Sequence, residues 1–180
     1  MSDLSSATGT WNIDPSHTSI TFVVRHAMIS KVRGTFNEFS GSFTIDGANV
    51  AASTASLTIQ AASIDTGNAD RDGHLSSPDF LDVASFPTIS FTSTKAEAKG
   101  DGVMVTGDLT IHGVTRPVTI DFEYNGTQVD PWGNTKIGFE GTAEISRKDF
   151  GLVWNAALEG GGVLVGDSVK LELDVQAAKA

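Results

Sequence analysis

Apolar and polar residues alternate along this chain in run after run. Val118, Ile120, Phe122 and Tyr124 share one parity, and Thr119, Asp121 and Glu123 the other. Ile137, Phe139, Ala143 and Ile145 oppose Lys136, Glu140, Thr142 and Glu144; Val169, Leu171, Leu173 and Val175 oppose Lys170, Glu172 and Asp174. A period of two means strands, because successive side chains point to opposite faces of a sheet. One dry and one wet face in each strand mean antiparallel sheet wrapped around an apolar interior. A small closed barrel either fills its middle with side chains or leaves room for an apolar ligand.

Strand-like runs fall near Gly9–Ile13, Ser19–Ala27, Gly34–Asp46, Ala52–Ala61, Thr88–Lys95, Val103–His112, Val118–Tyr124, Lys136–Ser146 and Ser168–Gln176. Turn chemistry separates most of them: Asp46-Gly47, Gly100-Asp101-Gly102, Asn125-Gly126 and Gly166-Asp167. Short turns favour hairpins, hence an up-and-down order. Phe36 has the opposite parity to Phe39, Phe43 and Ile45, which predicts a bulge near Asn37 or a strong bend. Gly41, Gly107 and Gly141 carry the apolar parity, where they relieve crowding at tight corners or leave space for something else. Only Asp65–Phe86 breaks the rhythm. There Ser77-Pro78-Asp79 reads as a helix start, with Ser77 as N-cap, so one short helix is expected at about Ser77–Val83 across a barrel end.

The chain has 180 residues, suited to a single domain, with residues 1–9 expected as a flexible N-terminal segment and 10–177 as the barrel. Its formal charge of −10 argues against nucleic acid as a partner and against general adsorption to anionic lipid. Acids on outward strand positions serve solubility. No cysteine is present, so disulfides and thiolate chemistry are absent. Met1–Thr10 lacks the basic and apolar regions of a signal peptide, so a cytoplasmic location is expected if this is the native start. Removal of a signal would instead fit a periplasmic or extracellular protein.

Catalytic signatures are sparse. His17, His26, His74 and His112 include no pair at the i, i+4 spacing of a zincin-like helix, and no metal site is expected. Asp14, Ser16 and His17 are close in sequence, but Pro15 interrupts them and no G-x-S-x-G elbow exists. No G-x-G-x-x-G or P-loop points to a nucleotide. Asp65, Arg71, Asp72, His74 and Asp79 cluster densely, as do Arg147 and Asp149; each set either recognises a polar ligand head or ties segments together. Arg25, Lys31 and Arg33 flank the apolar turn His26-Ala27-Met28-Ile29, a basic exception in an acidic chain. It reads as a ligand entrance or as a solvated hairpin tip.

Several segments together resemble the YceI-like family of polyisoprenoid-binding proteins. They are Asp14-Pro15-Ser16-His17-Thr18-Ser19-Ile20, Gly34-Thr35-Phe36, Ser63-Ile64-Asp65-Thr66, Arg71-Asp72-Gly73-His74-Leu75, Asp79-Phe80, Phe86-Pro87-Thr88-Ile89-Ser90-Phe91, Leu109-Thr110-Ile111-His112-Gly113-Val114-Thr115 and Arg147-Lys148-Asp149-Phe150-Gly151. The resemblance spans about Trp11 to Val175. It implies an all-β fold, an extended eight-stranded antiparallel up-and-down β-barrel, lipocalin-like, whose lumen takes a long isoprenoid or other amphiphilic chain such as a prenyl quinone or prenyl phosphate. Many relatives are secreted or periplasmic.

These readings converge on a lipid-binding barrel that is not an enzyme, with transport or storage as its role. No cofactor is expected beyond a bound polyisoprenoid or similar lipid. Lumen and rim candidates are Phe22, Val24, Met28, Phe36, Phe43, Leu57, Ile59, Phe80, Phe91, Leu109, Ile111, Phe122, Trp132, Phe139 and Trp154, with Phe86 and Leu171 beside them. Head-group candidates are Arg25, Arg33, Arg71 and His74. Transient membrane contact for loading is part of this expectation, as a monomer or homodimer. Two rivals stand beside it: an enzyme acting on a lipid-like substrate through His74 or His112, and a filled barrel serving as an interaction or stress-response module.

Overall fold

Alternation becomes a barrel through three strands that are each broken once. A computed structural model describes residues 4–180. Its β segments are β1 (Gly9–Ile13), β2 (Ser19–His26), β3 (Ser30–Phe36), β4 (Phe39–Ile45), β5 (Thr54–Gln60), β6 (Ile64–Asp65), β7 (Thr88–Lys99), β8 (Gly102–Ile111), β9 (Val114–Val129), β10 (Thr135–Ser146) and β11 (Val165–Lys179). All pairings are antiparallel, in the order β1-β4-β5-β7-β8-β9-β10-β11, and β1 pairs with β11 to close the ring. The segments β2, β3 and β6 continue β1, β4 and β5 in space. β11 pairs with β1 through Ala177–Lys179 and with β2 through Val165–Asp174, so β1 and β2 act as one interrupted strand. The result is an eight-stranded up-and-down barrel.

The interruptions lie side by side. The first is the 3-10 turn Pro15–His17, whose N-cap Asp14 accepts from the Ser16 amide. The second is Asn37-Glu38, where Phe36 and Phe39 both turn inward, the bend foreshadowed by the parity slip. The third is the 3-10 turn Ala61–Ser63. Asn37 N donates to Ser63 O and Gln60 N to Glu38 O, joining the second break to the third. Side-chain oxygens satisfy the backbone where the ladder fails, as a buried or half-buried break requires. Thr18 Oγ1 donates to Gln176 O, and Ser63 Oγ to Gln60 O. Much of the Asp14–Ser19 and Ser63–Thr66 sequence therefore turns the barrel wall.

Two apolar clusters fill the barrel, one below this bend and one running from the bend to the upper end. Leu4, Ala7, Trp11, Ile45, Ala96, Val103, Ile137, Phe139 and Ala177 form the lower one. Ile20, Ile59, Ile64, Leu81, Ile89, Phe91, Leu109, Ile111, Val118, Ile120 and Phe150 are in the upper one. Each well-buried aliphatic or aromatic side chain contributes about 1.5–3 kcal/mol relative to exposure.

Three expectations are corrected. Leu4–Gly9 is not a loose arm: Leu4–Ala7 is a 3-10 turn with Leu4 and Ala7 buried, and Ala7 O accepts from Trp11 Nε1 at 2.8 Å. Met1–Asp3, the rest of that expected segment, lie outside the described residues. The helix is α1 (Ala69–Ser76), not Ser77–Val83; Asn68 is its N-cap, accepting from Arg71 N at 3.0 Å. Ser77 stands at its C-terminal end with ψ 169°, because a residue preceding proline avoids helical backbone. Ser77–Phe86 then forms successive turns, which place Phe80 and Leu81 in the core. Finally, Asn125-Gly126 is a bulge inside β9, where the register against β10 shifts; the chain reverses instead at Asp130–Asn134.

Candidate ligand-binding site

Inward parity on every strand delivers apolar side chains to a lumen, and glycines keep that lumen open. A Cβ at Gly141 would lie 2.5 Å from the Phe122 ring, and Cβ atoms at Gly107 and Gly34 would collide with Phe91 and Phe22. Each ring therefore lies over the bare backbone of a neighbouring strand, instead of projecting across the barrel. The remaining space is a continuous cavity of about 410 Å³. That volume lies in the range of small-molecule sites.

The cavity runs past the bend. At its lower end Phe43, Ile45, Val103, Phe139 and Val175 line it; at its upper end Val24, His26, Val32, Arg71, His74, Leu75, Phe80, Arg147, Leu152 and Trp154 do. Phe22, Phe36, Leu57, Ile59, Phe91, Leu109, Ile111, Phe122 and Leu171 line the stretch between, and Arg25 borders the upper end. Trp11, fully buried beneath, belongs to the packing that closes the lower end.

Polarity is concentrated at the upper end. Arg71 Nε donates to Thr66 Oγ1 at 2.7 Å and Nη2 to Thr66 O at 2.8 Å. Thr66 is itself held by Asp72, which accepts from its amide and its hydroxyl. The guanidinium is thus fixed in direction, and among the described residues no carboxylate forms an ion pair with it. His74 Nε2 lies 2.9 Å from Asp79 Oδ2. Its ring stands edge-on to Trp154 at 4.7 Å and to Phe80 at 5.1 Å, so three rings wall the opening.

Arg147, which the sequence offers as a head-group recogniser or as a tie between segments, is a tie, and it continues the inward parity of Phe139, Ala143 and Ile145 just past β10. Only 3 % exposed, it donates to the carbonyls of Leu152, Trp154, Gly166 and Val165. Its ion-pair partner is Asp167 at 3.5 Å, not the sequence neighbour Asp149. Burial pushes its pKa down, opposed by Asp167. Those four carbonyls mean that Arg147 holds the Leu152–Gly166 loop against the cavity.

Some expected site residues lie elsewhere. Trp132 is 83 % exposed in the β9–β10 turn, at the end opposite Arg71, and does not line the cavity. Arg33 is on the outer wall, donating to Glu172 Oε2 at 2.7 Å, and that bond draws the Glu172 pKa down. Phe86 packs on His112 outside the lumen, at 4.8 Å between rings. His112 itself, at φ 55°, shapes the β8–β9 turn and does not line the cavity, whereas His74 does. Met28 is 60 % exposed at the β2–β3 tip rather than in the lumen. The Asp14-Ser16-His17 cluster is not a relay: Ser16 Oγ donates to Asp14 at 2.7 Å and approaches the same His17 nitrogen, Nδ1, that faces Asp14. A hydrolytic triad needs the hydroxyl at the opposite nitrogen.

Comparison with known proteins gives one consistent neighbourhood. The family model described as a YceI-like domain matches residues 11–177. A UPF0312 protein of Vibrio vulnificus is 46 % identical over 138 residues, covering 76 % of this chain and 73 % of that one. The crystal structure of Burkholderia cenocepacia BcnA superposes with a TM-score of 0.80 at 25 % identity, over 91 % of this chain and 98 % of that one. A polyisoprenoid binding domain from Saccharophagus degradans shares the fold, with a TM-score of 0.68 at 16 % identity, over 94 % and 98 % of the two chains.

Proposed function

The chain belongs to the YceI-like domain family, and on that footing we propose that it binds one long-chain amphiphilic lipid, a polyisoprenoid such as a prenyl quinone or prenyl phosphate, tail inward and head at Arg71 and His74. The observation that carries this reading is the continuous apolar cavity of about 410 Å³ with polar groups gathered at one end. A tail with ten buried carbons gains about 8 kcal/mol gross over water. Immobilisation offsets part of that gain. Arg71, which no carboxylate among the described residues ion-pairs, offers its remaining guanidinium N–H groups to a phosphate or a quinone oxygen, its direction set by Thr66.

A bilayer solvates the same tail about as well as the lumen does. Net preference must therefore come from the head group and from fit, and a carrier functions best when that preference is small. The role follows as reversible carriage rather than catalysis. It is tested by mass spectrometry of an organic extract of the purified protein, paired with native mass spectrometry. One prenyl lipid per chain is the expected result. An empty chain that also refuses prenyl ligands in titration would overturn the reading and favour the filled interaction module. Ligand retained against excess vesicles would replace carriage by storage.

A further inference from the structure

The β2–β3 hairpin breaks local rules within the seven residues Arg25 to Lys31, and it does so beside the cavity opening. Ala27 and Met28 have φ of 51° and 63°, left-handed backbone that disfavours a side chain bearing Cβ. A tight hairpin turn would take Asn-Gly there. Arg25 and Lys31 stand directly opposite across the two strands, where like charges repel. Neither has an ion-pair partner among the described residues. The tip exposes large apolar surface, with Met28 60 % and Ile29 86 % accessible. Ala27 N donates to Leu164 O, and Met28 packs on Gly162, so Val163 of the neighbouring loop, 41 % exposed, adjoins the same patch. Strain and repulsion persist only where something else gains from the arrangement.

Building on the lipid-binding reading of the lumen, we propose that this hairpin is the docking surface for an anionic lipid bilayer: Met28, Ile29 and Val163 enter the interface while Arg25 and Lys31 meet lipid phosphates. Apolar tip and basic shoulders are the pairing that an anionic membrane surface recognises. The adjoining 155–164 loop carries one carboxylate, Glu159, against those two bases. The net charge of −10 does not forbid docking, because charges more than about 8 Å apart are largely screened at physiological salt. Position completes the case. Val24, His26 and Val32 of the same hairpin line the cavity, so docking sets its opening against the bilayer, and a tail can pass between them without crossing water.

Flotation of the full chain with phosphatidylcholine vesicles, with or without one-third phosphatidylglycerol, tests this. Binding to the anionic vesicles alone, weakened by 0.5 M salt (flotation buffer, about a 4 Å Debye length), is expected. Lys31→Gln and Arg25→Gln should each weaken it about fivefold. Ile29→Asp should abolish it, and because Ile29 is so exposed, that variant keeps its fold. Trp132→Ala, at the opposite end, should change nothing. Absence of vesicle binding, as expected of a surface that instead meets a protein partner, overturns the proposal; so does binding that survives Ile29→Asp and Lys31→Gln. Titration with a fluorescent long-chain alcohol in vesicle-free buffer reports the lumen separately. Flotation without uptake would leave docking standing and remove the lipid-carrier reading, and uptake without flotation would do the reverse.

Discussion

The two ends of the barrel are built on different principles. Below the bend, closure is by packing: Trp11, Ile137, Ala177 and Ala7 are essentially inaccessible, and the Leu4–Ala7 turn seals the bottom. Lys179 Nζ adds a cation over the Trp11 ring at 5.6 Å. Above it Phe150 and Leu81 still pack, but α1 buries none of its residues, and the wall beside the opening is held by polar pins: Arg147 on four carbonyls, Arg71 on Thr66 and His74 on Asp79. Packing is non-directional and fills space, whereas hydrogen bonds fix a shape and leave a gap beside it. A container needs one end of each kind.

Removing the largest packed side chain should do the most damage. Trp11→Ala is expected to cost about 3–5 kcal/mol by urea unfolding. The upper end should tolerate the loss of an aromatic ring better, because rings beside a cavity have fewer neighbours. Trp154→Ala is expected to cost under about 2 kcal/mol, while loosening ligand retention. Equal costs at the two positions would mean that the ends do not differ as described.

The pins come next. Arg147→Met keeps much of the side-chain volume but removes the guanidinium donor from the carbonyls of Leu152, Trp154 and Gly166, while Val165 O keeps its bond from Asn155 Nδ2. A loss of about 2–3 kcal/mol is expected, reduced where water reaches the carbonyls. Hydrogen exchange should then accelerate at residues 152–166 and remain unchanged around Trp11. Acceleration at both ends would show that the loop and the floor are one cooperative unit.

How much of this contrast was legible in the sequence differs by element. Strands were readable because period two depends on neighbouring residues alone, and the bend at Asn37 showed as a break in that period. The helix was misplaced because Ser77-Pro78-Asp79 satisfies the local pattern of a helix start as well as Asn68-Ala69-Asp70 does; only the tertiary path selects between them. Asn125-Gly126 has the local chemistry of a turn for the same reason, although bulges use the same residues. Trp132 and Arg33 were drawn into the site by chemistry without position. Arg147 had the inward parity that marks a lumen residue, but pairing it with adjacent Asp149 hid that signal. The cavity itself was not legible: whether Gly107 and Gly141 leave space or seat a ring depends on Phe91 and Phe122 in neighbouring strands.

The glycine seats offer a way to convert the open end into a packed one. Valine at Gly141 must displace the Phe122 ring, and the nearest room is the lumen. Overpacking of this kind costs about 1–3 kcal/mol. Ligand stoichiometry by native mass spectrometry should fall well below that of the parent, while the strand content stays unchanged in circular dichroism. A Gly138→Ala control, where a Cβ meets nothing nearer than 3.6 Å, should load normally.

The smallest effect is expected at the joint between the ends. Asp14 joins β1 of the lower half to β2 of the upper, and hydrogen bonds from Ser16 and then His17 lower its pKa from 3.8 to about 2. A folded pKa below the unfolded value means that the unfolded chain takes up the proton first as pH falls. The contribution is therefore fully present above about pH 4 and is lost progressively between about pH 4 and pH 2. Asp14→Asn removes the titrating group, so its stability should fall less steeply than the parent's across that window. His17→Ala, which removes one of the two side-chain bonds, should leave a shallower dependence than the parent but a steeper one than Asp14→Asn. Urea midpoints at half-unit pH steps would resolve the three slopes. Coincident slopes would mean that the acid sensitivity resides in other carboxylates, and that the joint is held by its backbone bond from Asp14 N to Gln176 O and not by the carboxylate.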